Sequence, residues 1–154
     1  MRKTIALVLL ILSILFCFFS CVKNPDAEKM LSEFLNIYSA SGVIYTPECE
    51  EGDSGYISEE LFRKIYVFDG NIPERFAILL NFHADYGAEC GVFVCHGSEE
   101  RERVVEMCTE RIRLLGRGGD YAFISVNGPI VFYSTMPERA RAEEIWCKIV
   151  FSHT

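Results

Sequence analysis

The chain has 154 residues, half of them hydrophobic and 13% aromatic, which excludes a disordered polymer and argues for one domain with its own core. Its 22 acidic residues outnumber 15 basic ones, for a formal charge of −7. Such a surface repels nucleic acid and anionic headgroups, so no nucleic-acid partner is expected.

The first predicted element is an export signal. Met1-Arg2-Lys3 is a basic start, an apolar run extends from Ile5 to Phe19, and Ser20-Cys21 follows. A basic n-region, an apolar h-region and a small residue before the cut are the parts of a secretory signal. A Cys directly after the small residue resembles the lipobox of bacterial lipoproteins. Its thiol takes a diacylglycerol group, and cleavage then leaves Cys21 as the new N-terminus. Residues 1–20 are therefore expected to be a lipoprotein signal peptide, 21–24 the anchor and tether, and 25–154 a single domain. Phe18 and Phe19 depart from the usual Leu and small residue, and bulky Phe16 makes Cys17 a poor alternative. The competing reading is an uncleaved signal anchor, since Ile5 to Val22 is 18 residues, just long enough to span. Either way the basic end stays in the cytoplasm and the domain lies outside. Removing Arg2 and Lys3 leaves 13 basic against 22 acidic residues, a balance of −9.

Asn24 is a good N-cap and Pro25 suits a first helical position. Ala27, Met30, Leu31, Phe34, Leu35 and Tyr38 then recur at helical spacing, predicting a helix over 25–40 that stops before Gly42. Residues 41–57 read as irregular, with Val43-Ile44-Tyr45 a candidate short strand. Ser58 caps a second helix through Tyr66, with Leu61, Phe62 and Ile65 on one side. Phe76 to Phe82 is an apolar run of strand length, Asp85-Tyr86-Gly87 a turn, and Glu89 to Cys95 a second strand. Ser98 caps a helix with Glu99 and Glu100 in its first turn. That helix carries Val104, Val105, Cys108, Ile112 and Leu115 on one stripe and ends at Gly116. Tyr121 to Val126 and Ile130 to Ser134 flank Asn127-Gly128, a strong hairpin signal. Thr135 and Glu138 match a capping box around Pro137, opening a last helix with Ala142, Ile145, Trp146 and Ile149 inward.

The predicted fold is α+β: two N-terminal helices followed by two β-β-α units. These would form a four-stranded antiparallel sheet with the last two helices on one face. The strands are apolar on both sides, so the other face needs a cover. The N-terminal helices supply one; the alternative leaves Leu79, Phe93 and Tyr133 exposed as a binding surface.

Chemistry is sparse. The exported part holds five cysteines, Cys49, Cys90, Cys95, Cys108 and Cys147. An odd number cannot all pair internally; buried thiols acting as small hydrophobes and a disulfide somewhere both stay open. Cys90, Cys95 and His96 lack structural-zinc spacing, and the acidic run Glu48, Glu50, Glu51 and Asp53 lacks the pattern of a calcium loop. His83, His96 and His153 meet no nucleophile motif, and Arg117-Gly118-Gly119 lacks the phosphate-loop lysine. No catalytic residue, metal or cofactor is therefore expected. Glu89 at a strand start and Arg111 on the following helix form a candidate pair, functional or structural.

Residues 56–146, roughly 60% of the chain, resemble a family of short lipoproteins of unknown function from Gram-positive bacteria. The likeness rests on Tyr56-Ile57-Ser58 with Leu61 and Tyr66, and on Glu89-Cys90-Gly91-Val92-Phe93-Val94-Cys95. It continues through Val104-Val105-Glu106-Met107-Cys108, Arg111, Leu114-Leu115 and Val131-Phe132-Tyr133. The resemblance implies Cys21 as anchor and Glu89 and Arg111 as family positions, and it carries no activity. The expected function is a non-enzymatic, lipid-anchored binding or interaction module on the extracytoplasmic face of the cell membrane, with an envelope protein as its partner. The other reading is a small envelope enzyme or small-ligand binder with a cleft between the sheet and the N-terminal helices.

Overall fold

The computed structural model describes residues 25–80 and 88–153. The signal, Cys21, Asn24, His83 and the Asp85 turn lie outside the described residues. Among those described, no helix is long and apolar enough to cross a membrane. The elements in order are α1 (Ala27–Tyr38), β1 (Ile44–Tyr45), α2 (Glu59–Tyr66), β2 (Phe76–Leu80) and β3 (Glu89–Val94). They continue with α3 (Ser98–Leu114), a 3₁₀ turn (Gly119–Tyr121), β4 (Phe123–Asn127), β5 (Ile130–Ser134) and α4 (Arg139–His153).

The class is α+β, with a sheet of five strands rather than four, in the order β1-β2-β3-β5-β4 and antiparallel throughout. The added strand is β1, whose Ile44 and Tyr45 pair with Leu79 and Ile78 at the sheet edge. It lies within the candidate strand Val43-Ile44-Tyr45, which is too short for its alternation to place it in the sheet. Because β5 lies between β3 and β4, α3 carries the chain across the sheet to its far edge.

The last two helices do not share a face. α1 and α4 cover one side, where Met30, Leu31, Phe34, Trp146 and Ile149 pack on Leu79, Cys90, Val92 and Phe132. α2 and α3 cover the other, where Phe62, Tyr66, Val104 and Cys108 pack on Ile78, Phe93, Val131 and Tyr133. Five strands span about 19 Å and a helix is about 10–12 Å across, so each face needs two helices. Apolar spacing in a helix does not encode which face it meets.

Both faces are thus closed. Leu79, Phe93 and Tyr133 are all buried, which removes the exposed-sheet binding surface. The space between the sheet and the N-terminal helices is filled by Met30, Leu31, Phe34, Phe62 and Tyr66. Trp146 stacks on Phe132 at 4.0 Å between ring centres. Burying side chains of this size contributes about 1.5–3 kcal/mol each.

Several element ends differ from expectation; Gly97 rather than Ser98 stands at the N-cap of α3, with no side-chain cap bond. α1 is capped by Asp26, whose carboxylate accepts from Lys29 N at 3.0 Å, and it ends at Ser39 in the left-handed region (φ 66°) rather than at Gly42. Ser58 caps α2 as predicted, accepting from Leu61 N at 3.2 Å, but Leu61 itself is exposed and Tyr66 takes its place inside. The hairpin turn is Gly128-Pro129, since Asn127 still pairs with Ile130. Gly128 has φ 57° and proline cannot adopt positive φ, which selects a type II′ turn. Tyr121 belongs to the 3₁₀ turn, not to β4.

The capping box at Thr135 does not form. Thr135 N donates to the Glu89 carbonyl at 2.8 Å, and its hydroxyl accepts from Glu89 N at 2.9 Å. That commits it to the end of the sheet. α4 begins instead after Glu138 (φ 57°), whose carbonyl accepts from Arg141 N at 2.9 Å and Ala142 N at 3.1 Å.

Candidate functional site

Residues facing each other across an antiparallel pair lie on one side of the sheet, and alternate residues of a strand share a side. Glu89, Gly91 and Phe93 therefore point toward α2 and α3, as does Tyr133, which stands opposite Gly91. Glu89 is consequently aimed into a core. Its side chain is 4% exposed and that of Arg111 13%.

Arg111 meets it as a fork. Its Nε donates to Glu89 Oε2 at 2.8 Å, while Nη2 donates to Oε1. The remaining Nη1 donates to the carbonyl of Ile65 in α2 at 3.0 Å. Two-pronged guanidinium–carboxylate pairing is among the stronger side-chain hydrogen-bond arrangements. Tyr133 hydroxyl donates to Glu89 Oε2 at 3.4 Å. With that proton committed, Tyr66 is the donor in the 2.8 Å bond between the two tyrosine hydroxyls. Donors thus run from Tyr66 through Tyr133 to a carboxylate that Arg111 holds from the other side.

Charge follows from this burial. The Tyr66 and Tyr133 phenols are pushed well above the ordinary tyrosine range, first by desolvation, so both stay neutral donors. Burial works against the Arg111 cation, but the hydrogen bond and charge of Glu89 more than offset it and hold its pKa raised. Both carboxylate oxygens are occupied, and the network joins α2, α3, β3 and β5. Chemically it is a clamp. Breaking such a pair from one side costs about 3–5 kcal/mol, because the other charge is left buried.

The other sequence candidates stay apart. Cys90 faces the α1/α4 core, while Cys95 and Cys108 face the opposite one. Burial raises the Cys90 thiol, with the Glu89 carboxylate adding to it, and raises Cys108 likewise. Burial brings Cys95 up to about 11. Such thiols are poor nucleophiles at neutral pH. Cys49 is half-buried beside Thr46 Oγ1 at 3.5 Å, and Cys147 is exposed. Among the described residues the cysteines are free and no group of three metal-ligating side chains converges. His96 lies 3.3 Å from Glu74, and His153 lies 3.0 Å from Glu33. The loop carrying Glu48 and Glu51 folds on itself, Glu50 N donating to Asp53 Oδ2 at 3.0 Å.

Tyr66 and Tyr133 join Glu89 through their hydroxyls and Thr135 holds its backbone, roles that sequence reasoning did not assign to any of the three. A usable signal was present: a tyrosine at a fully apolar position needs a partner for its hydroxyl, where phenylalanine would not.

The strand directions divide the domain into two poles. Pro25 lines a recess of about 430 Å³ with Asp26, Glu28, Glu48, Arg75 and Phe76, beside the start of β2 and so the end of β3. At the opposite pole β3 and β4 begin, β5 ends, and the Glu89 network sits. That pole carries a recess of about 460 Å³ lined by Gly116, Arg117, Tyr121 and Pro137. Tyr121 is 55% exposed on its wall, and Leu114 nearby on the chain is exposed as well. Arg139 Nη1 fixes this loop to the start of α4 through the Gly119 carbonyl at 3.0 Å.

Comparison with protein-family models, with curated proteins and with solved structures gives no match.

Proposed function

We propose that this protein is a lipid-anchored extracytoplasmic lipoprotein, held in the cell membrane through Cys21, that acts as a binding module rather than an enzyme. One observation carries the second half of this reading: the groups with reactive potential, Glu89, Arg111, Cys90 and Cys108, are enclosed and mutually satisfied or inert. Open concave surface lies instead at the poles and in a smaller recess of about 260 Å³ between the end of α2 and the middle of α3. A chain tethered at residues 21–24 would stand with Pro25 toward the membrane and the Tyr121 recess away from it. An exposed tyrosine beside an arginine suits a contact surface, since these two residue types are among those that dominate binding energy at interfaces. The partner is an envelope protein reached at that outer pole.

The test is photo-crosslinking in intact membranes, with a crosslinker at position 121 and, as the comparison, at exposed Glu60 on α2. A single dominant adduct at 121, lost when Cys21→Ala releases the protein, supports the reading. Identical adduct patterns from both positions, or from the released protein, would contradict it.

A further inference from the structure

β4 is an edge strand, paired with β5 and with no other strand among those described. Across the two-residue turn Asn127 and Ile130 form a hydrogen-bonded pair, so Phe123, Ser125 and Asn127 turn their backbone groups to β5. The N–H and C=O of Ile124 and Val126 therefore point outward, and no described residue bonds to them. Edge strands are usually blunted by a charge, a proline or a bulge. Phe123–Asn127 contains no charged residue and no proline, and its register with β5 runs unbroken.

Both helix layers continue this uncharged strip. On one face, Arg103, Glu106 and Glu110 put one side of α3 against the end of α2. Val105 and Ile112 lie on the opposite side of that helix, at the rim of the core that Ile124 also borders. On the other face, Arg141 lies over the Tyr38 ring and turns one side of α4 toward α1. Arg139 reaches the Gly119 carbonyl, just before β4, from the other side. Glu143 and exposed Cys147 follow Arg139 at intervals of one turn, and Phe151, 84% exposed, stands one turn further on. Glu143 is neutralised by Arg139 at 2.8 Å. Val126, on the strand between the two layers, is 48% exposed.

We infer that β4 pairs antiparallel with β4 of a second copy of this chain across a two-fold axis, joining the two five-stranded sheets into one. With Ser125 on the axis, Ile124 of each copy stands opposite Val126 of the other. Each such pair exchanges two main-chain hydrogen bonds, which satisfies the outward groups of both copies. Both side chains are β-branched and suit cross-strand packing. A single extended peptide would pair the edge but leave Val105, Ile112, Cys147 and Phe151 uncovered. A second copy brings its own α3 and α4 in the same two layers. A stable dimer needs roughly 800 Å² from each partner, which a strand edge about 17 Å long reaches only with helix flanks. Two chains of charge −7 repel each other elsewhere, and this strip lets them meet without opposing like charges.

Full-length protein in density-matched detergent is followed by sedimentation equilibrium. Wild type is expected to dimerise. Val126→Lys, at an exposed position outside the core, is expected to weaken the dimer about 10–100-fold, since two charges then face apolar neighbours across the axis. Ser125→Cys reads the register, because its two copies would form a non-hydrogen-bonded pair with Cα atoms about 4.5 Å apart, which a disulfide can bridge. Aerobic oxidation with copper phenanthroline is expected to link residue 125 to residue 125, and to give no such link from Glu60→Cys on α2. A wild type that stays monomeric up to about 100 μM overturns the inference. So does a dimer that Val126→Lys leaves equally tight, or an absent 125–125 link. A monomer whose residue 125 crosslinks to a different protein in membranes gives the edge to a partner's strand and overturns it too. Neither variant touches Cys21 or Tyr121, so failure here and failure of the anchored reading are read separately.

Discussion

Gly91 and Tyr133 stand directly opposite each other on β3 and β5, and a Cβ at position 91 would lie 2.8 Å from Tyr133 Cε1. It would lie equally close to Ile78 Cγ2 on the other side. The missing side chain is what lets the tyrosine ring lie across β3, with its hydroxyl within reach of Glu89 two residues away. A glycine inside a strand often marks such a close approach.

Gly91→Ala should accordingly destabilise the fold by about 1–3 kcal/mol, the usual cost of overpacking a filled core. Urea denaturation measures this. A variant as stable as wild type would show that the ring position does not depend on residue 91.

Glu89→Ala and Arg111→Ala should each cost about 3–5 kcal/mol, since each strands a buried opposite charge. The double variant should cost clearly less than the two single losses combined, with a coupling of about 1–3 kcal/mol. Simple additivity in a double-mutant cycle would mean that the two side chains do not act as one unit.

Alkaline pH should unfold the domain. Tyr66 and Tyr133 have folded pKa values raised above the ordinary 10.0, by burial first, and Cys90, Cys95 and Cys108 are raised above 9.0 for the same reason. Stability from these groups is fully present below about pH 9 and is lost as pH rises through their folded values, because the unfolded chain releases those protons first. Tyr66→Phe should lower the slope of stability against pH above 10. Identical slopes for wild type and variant would contradict the burial of that phenol.

Thiol labelling of the native protein should modify Cys147 quickly and leave Cys90 and Cys108 untouched until denaturant is added. Rapid native labelling at Cys108 would mean that the α2/α3 side of the core opens readily.

Much of this architecture was legible in local pattern. The boundaries of β5, the Ser58 cap and the Glu89–Arg111 approach follow from apolar runs, capping chemistry and the packing of α3 over β3. What was not legible depends on partners distant in the chain. Thr135 has the sequence of a capping residue, yet the sheet end claims it through Glu89. Asn127-Gly128 has the sequence of a type I′ turn, yet Pro129 shifts the turn by one residue. The pairing of α1 with α4, and of α2 with α3, leaves no trace in either helix's own periodicity. The sealed Arg75 Nε, without a hydrogen-bond partner among the described residues, is likewise invisible in sequence, where it belongs to one arginine before a strand.

The most direct measurement is the intact mass of the protein extracted from membranes, with fragmentation of its N-terminal peptide. A lipid-anchored module should begin at Cys21 and carry a diacylglycerol group on that thiol. A chain that still begins at Met1, or a Cys21 without lipid, would contradict the anchored reading and remove the reason for assigning the Pro25 pole to the membrane.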